Sequence, residues 1–243
     1  MRIHVYSLCW NEAQFLPYFL RHYCPLAEKV AIYDNLSDDR SVEIIKSFPN
    51  TEVRPYSTQG QLRDDAFLYI KNQTWKESRG TADWVIVVDT DELLWHPNLL
   101  GYLEDCKRQG ISIPVPIGYE MISDHFPTTS GQVYEEIKNG ALFHDYSKFC
   151  IFNPSQIEDI NYGPGCHFAA PKGHVTVDKR GDLKLLHYRF LGLDYVLPRF
   201  AARRARMSQL NKAKRWGAQY EYSHEQILAS INSFRSRMVQ AVP

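Results

Sequence analysis

The sequence predicts an α/β fold: a mostly parallel sheet flanked by helices, then a loop-rich region and C-terminal helices. Three observations carry this. Strand-like and helix-like segments alternate with short links over residues 1–117, the pattern of a parallel sheet with crossover helices. One segment, Trp84-Val85-Ile86-Val87-Val88, is apolar throughout, as a strand covered on both faces must be. Polar residues follow the strands at Asn11-Glu12, Asp34-Asn35 and Asp89-Thr90-Asp91. In open sheets of this kind the ligand crevice lies outside the strands' carboxyl ends, so all three clusters are expected to face one pocket.

The elements follow in order. Residues 3–8 read as a strand. Residues 12–23 read as a helix with Phe15, Phe19, Leu20 and Tyr23 near one face. A second strand, 29–33, ends in Asp34-Asn35-Leu36-Ser37-Asp38-Asp39, residues that favour turns and helix N-caps. A short helix, 41–47, is closed by Phe48-Pro49-Asn50 and followed by a strand at 51–56. A long helix is expected over 61–77, the fourth strand over 83–88, a helix over 99–109 and a strand over 111–117. Residues 118–187, rich in Gly, Pro and aromatics, read as irregular hairpins and loops laid over the sheet. The tail reads as two helices, 194–216 and 223–238. This divides the chain into a domain of 1–192, with halves 1–117 and 118–192, and a helical extension of 193–243.

Composition narrows the function classes. Of 243 residues 44% are hydrophobic and 23% charged, which excludes disorder along the whole chain. Lys+Arg and Asp+Glu are both 28; a protein that wraps duplex nucleic acid shows a basic excess, so no nucleic-acid partner is expected. No window approaches the roughly 18–20 apolar residues of a membrane helix. The N-terminal residues lack the apolar region and cleavage site of a signal peptide. The five cysteines are scattered, without C-x-x-C spacing, so a zinc cluster is not expected. Reduced thiols in a cytoplasmic protein are the simplest reading.

Asp89 and Asp91 place two carboxylates at i and i+2 just past the apolar strand. Where strand gives way to loop, both acids can turn to one point. Oxygen donors of this kind suit a hard divalent cation, Mg²⁺ or Mn²⁺, completed by water and substrate phosphates. Such an ion neutralises charge building on a phosphate leaving group. The plain alternative is an acidic loop at a sheet edge. Asp34, directly after the second strand, is placed to accept the N–H of a nucleobase; the plain alternative there is helix capping by Ser37 or Asp38.

Together, Cys9-Trp10-Asn11-Glu12, Tyr33-Asp34-Asn35-x-Ser37-x-Asp39 and Trp84-x-x-x-x-Asp89-Thr90-Asp91-Glu92 resemble the GT-A (Rossmann-like) glycosyltransferases. The likeness is to the family-2-like bacterial branch with D-x-D-E and a later Leu-His-Tyr, matched here by Leu186-His187-Tyr188. It covers about the first 110 residues and resumes at Leu185. The resemblance implies a nucleotide-sugar donor, most often a UDP-sugar, and a Mn²⁺ or Mg²⁺ ion. It places Asn11 and Glu12 by the nucleotide, Asp34 on the base and Arg63 near the donor. Asp89 falls on the ribose or a metal-bound water, Asp91 on the metal, and His187 completes metal or diphosphate binding. The acceptor is then a hydroxyl of a glycan or lipid-linked molecule, in cell-surface polysaccharide synthesis.

The family's Glu-Asp general-base pair has no match in this sequence. Glu120, Asp124, Glu135, Glu136, Asp145 and Glu158 lie in the right region, and Asp124, shortly after a strand, is preferred as the base. His167 is the other catalytic candidate, on the acceptor or phosphate side, and Lys148 is placed to offset donor phosphate charge. A basic run, 199–216, holds seven Lys and Arg and no acid, with Phe200, Met207, Leu210 and Trp216 interleaved. Three readings stand: a peripheral contact with anionic lipid at the inner face of the membrane, arginines for the diphosphate, or a solvated face. Two other functions fit the D-x-D motif, a phosphatase-like hydrolase and a non-catalytic nucleotide-sugar binding module.

Overall fold

The computed structural model describes residues 1–178 and 180–243. Four parallel strands form the first sheet: β1 (Ile3–Cys9), β2 (Lys29–Asp34), β3 (Thr51–Pro55) and β4 (Trp84–Val87), in the order β3-β2-β1-β4. Helices α1 (Leu16–Tyr23), α2 (Ser41–Lys46) and α3 (Asp64–Gln73) make the crossovers. This is the α/β architecture expected. The strand Ile151–Phe152 adds to β4 in antiparallel sense. Alternate residues of β4 divide between two apolar layers: Trp84 and Ile86 pack with α1, Val85 and Val87 with Trp75 and Phe152. Each such fully buried aliphatic side chain contributes about 1.5–3 kcal/mol.

The elements depart from expectation in four places. The first helix starts at Leu16, because Asn11 takes a left-handed φ of 52° and the chain must turn before it winds. The third helix starts at Asp64 and tightens after Gln73 into a 3₁₀ turn, Thr74–Ser78. The strand expected over 111–117 is two strands, Ile113–Pro114 and Ile117–Ser123; Pro114 and Pro116 interrupt the ladder. Residues 118–187 are more regular than expected. They supply most of a second, five-stranded sheet, ordered Val239–Gln240, Asn139–Leu142, Ile117–Ser123, Lys184–Leu191 and β5 (Glu92–Trp95).

That sheet is tied to the first by one shared core. Leu93 and Leu94 of β5 and Leu185, Leu186 and Tyr188 pack with Phe15, just before α1, and with Phe19 and Tyr23 of α1. The C-terminal helices Leu193–Ala205 and His224–Arg235 bury Val196, Phe200, Ile227, Ile231 and Phe234 in the same core. Among the described residues no helix is long and apolar enough to cross a membrane.

Candidate active site

The two sheets meet where β4 ends. The chain passes from Val87 through Asp89, Thr90 and Asp91 into β5. The turn is closed on itself: Glu92 N–H donates to the Asp89 carbonyl (3.0 Å), and Asp89 N–H to Glu92 Oε2 (3.0 Å). Strand register then aligns three charged residues across the second sheet, with His187 opposite both Glu92 and Glu120. Gly118 makes room beside them. A Cβ there would lie 2.4 Å from the Tyr146 backbone, so glycine lets Tyr146 pack 4.3 Å, ring to ring, from His187.

These residues form the floor of a cleft of about 630 Å³ at the carboxyl ends of β1 and β4. Its acids are matched with cations. Lys71 Nζ lies 2.6 Å from Asp89 Oδ1, Lys148 pairs with Glu92, and Arg189 Nη2 lies 2.6 Å from Glu120 Oε2. His187 stands between Glu120 (Nδ1 to Oε1, 3.2 Å) and Asp91 (Nε2 to Oδ1, 3.6 Å). Burial works against every one of these charges. It pushes His187 down, but Glu120 and Asp91 outweigh it and raise the imidazole to about 9. It pushes Asp91 up, but His187 and Arg199 hold the carboxyl well below the usual range. Asp89, likewise disfavoured by burial, is held low by Lys71 and Lys148.

The C-terminal segment forms the opposite wall. Arg199 and Arg203, one turn apart on the helix Leu193–Ala205, both reach Glu12 at 2.6 Å, and Arg199 also lies 3.4 Å from Asp91. Past the helix, Arg206 lies flat over Trp10, 3.5 Å from the ring centroid. Leu62 and Met207 form a parallel bridge, with Leu62 N–H donating to the Arg206 carbonyl (2.6 Å). Asn211 Nδ2 donates to Asp64 (2.9 Å). Arg215, Trp216, Tyr220 and Tyr222 complete the wall. The basic run is therefore not one amphipathic helix: it breaks between Ala205 and Gln209, and Arg199 and Arg203 turn inward.

The sequence-expected site residues separate into two groups. Glu12, Asp89, Asp91, Lys148, His167 and His187 all line the cleft. His167 Nδ1–H donates to the Asp145 carbonyl (2.8 Å), which leaves Nε2 as the acceptor. Burial and Lys148 hold its pKa below the ordinary histidine range. The others stand elsewhere. Asn11 exchanges hydrogen bonds with Asp38 (2.6 and 3.0 Å) and lines a separate hollow of about 420 Å³. Asp34 is buried under its own loop, accepting from Ser37 N–H (3.0 Å) and Oγ–H (2.6 Å). Arg63 is engaged with Asp65 (2.6 Å). Asp124 is 83% exposed and pairs with Arg235, outside the cleft lining. Glu120, one of the acids considered as base, is wholly buried behind His187.

Sequence reasoning passed over Lys71. The signal was present: Lys71 shares a helical face with Leu68 and Trp75, at i−3 and i+4, and a lysine there is buried with a partner. Among the described residues no group of three or more His, Cys, Asp and Glu is arranged to hold a metal. The donor set for a divalent ion is the pair Asp91 and His187, a carboxylate oxygen facing an imidazole nitrogen, while Asp89 is engaged with Lys71. A pair of this chemistry fits an ion that keeps waters and takes phosphate oxygens.

No family model matches this sequence, and no curated protein matches it. Among solved structures the chain is similar to S. aureus TarS, at 11% identity and a TM-score of 0.46, over 77% of this chain and 37% of that chain. TarS 1–349 in complex with UDP-GlcNAc is matched at 11% identity and a TM-score of 0.46, over 79% of this chain and 60% of that chain. TarS 1–349 with UDP is matched at 14% identity and a TM-score of 0.38, over 64% and 48%. The chain thus spans 37–60% of the length of these TarS chains.

Proposed function

We propose that this chain is a glycosyltransferase that takes a sugar from a nucleotide-sugar donor, a UDP-sugar first, to a hydroxyl of a glycan or lipid-linked acceptor. One observation carries the reading: the acids past β4 and cations from four other segments converge on a single cleft at the carboxyl ends of parallel strands. Such a site binds a dianionic leaving group and holds two substrates in line.

The residues take distinct roles. Asp91 and His187 would hold a Mn²⁺ or Mg²⁺ ion once it displaces the imidazole proton, and the ion would neutralise charge on the departing diphosphate. Lys71 and Glu120 keep Asp89 and His187 in place. Tyr56 and Phe67, which line the cleft, offer aromatic faces to the nucleoside. His167, neutral and with Nε2 free to accept, takes the proton of the acceptor hydroxyl. Lys212 and Lys214, both exposed, are the cations open to an anionic lipid surface.

The test is calorimetric titration of UDP-sugars with and without Mn²⁺, followed by slow donor hydrolysis. Asp91→Asn is expected to lower hydrolysis about 10²-fold or more. Undiminished hydrolysis in Asp91→Asn, or binding with no turnover toward water or any acceptor, counts against an enzyme of this kind.

A further inference from the structure

Two guanidinium groups of the cleft stand without an acid. Lys71, Lys148, Arg189 and Arg203 each have a carboxylate partner. Arg206 and Arg215, which also line the cleft, have none within 4.0 Å among the described residues. Arg206 is half-buried, and burial together with the neighbouring Arg203 holds its pKa below the usual guanidinium range. A desolvated charge with no counter-ion costs stability. Yet Arg206 is held firmly: its plane lies on Trp10 at 3.5 Å, and Nε–H donates to the Gly60 carbonyl at 2.9 Å. Among the described residues its two Nη groups have no hydrogen-bond partner, and a guanidinium presents them as a planar fork, the shape that takes two oxygens of one phosphate.

We infer that Arg206 is the phosphate-binding fork of this cleft, assisted by Arg215 of the same C-terminal wall. This rests on the proposed donor reading and deepens it. An incoming phosphate meets these two residues without breaking any ion pair already made, whereas reaching Arg203 means displacing Glu12. The phosphate has two possible sources, the diphosphate of the donor and a phosphate carried by the acceptor, and both offer the same oxygens.

Titration of the full chain with UDP, uridine and glycerol 3-phosphate tests the inference. Arg206→Gln is expected to weaken UDP about 10- to 100-fold, the loss of one charge-assisted pair, and to leave uridine unchanged. Arg206→Lys keeps the charge without the fork and is expected to fall between. Arg215→Asn suits the left-handed φ of 56° at that position and should weaken the same ligand by a smaller factor. Unfolding midpoints matching wild type confirm that the variants are folded. If the loss falls on glycerol 3-phosphate while UDP binds as before, the fork stands and its phosphate is the acceptor's. If wild type binds UDP and all three variants bind both phosphates equally well, the inference is overturned and the donor reading survives. If wild type binds no UDP, the donor reading fails, and the fork fails with it unless glycerol 3-phosphate binding depends on Arg206.

Discussion

At the floor of the cleft three acids are paired with cations: Asp89 with Lys71, Glu92 with Lys148 and, behind His187, Glu120 with Arg189. On the C-terminal wall the cations outnumber the acids: Glu12 answers both Arg199 and Arg203, and Asp91 lies 3.4 Å from Arg199. The floor is neutralised from within, so its role is to hold shape. Net positive charge is left to the wall, and that is where an anionic ligand gains most. Paired charges taken out of water add little net stability, yet losing one partner is costly. The contrast can therefore be probed one carboxylate at a time.

The largest effect is expected where floor and wall are joined. Glu12→Gln leaves Arg203 without its acid and Arg199 with only Asp91, and should destabilise the fold by about 3–5 kcal/mol, read by urea unfolding. A loss below about 1 kcal/mol would mean the wall is held by its apolar face alone. Next comes the core beneath, which separates acid sensitivity from the cleft. Burial holds His22 at about 4, against 6.5 for a free imidazole. Between those values the unfolded chain takes up a proton that the folded chain refuses. Stability should fall by up to about 3 kcal/mol as pH drops from 6.5 to 4, then level off for this group. His22→Gln should remove that limb; if it persists, the titration belongs to the cleft. Lys71→Met strips the floor of one cation. Asp89 is 39% exposed, so water takes up part of the charge and about 1–2 kcal/mol is expected. Asp124→Ala touches neither region and should change stability by less than about 0.5 kcal/mol and leave donor hydrolysis as it was.

The sequence made the first sheet legible because its strands are short apolar runs and the polar residues that end them stand out. Asp89 and Asp91 reach the cleft as expected from their place after β4. The second sheet was hidden by its own chemistry. Its central strand, Lys184–Leu191, carries Lys, His and Arg, and its neighbour buries Glu120, so neither shows an apolar period. Those charges are buried because they answer one another across the register, which no local window contains. The basic run was opaque for a similar reason. Arg199 looks solvated until Glu12, 187 positions away, is brought against it. Asp34 shows the converse. Its position after β2 suggested a ligand, while the nearest donors were three residues on, at Ser37.

The contact between Asp64 and Asn211, 147 positions apart, sets an order of events during synthesis. A ribosome can release the four parallel strands and their acids long before it delivers the segment that faces them. Until then the half-made crevice shows apolar and charged surface to solvent or to a chaperone. Competence to bind should consequently arrive abruptly, once residues 199–222 have been made.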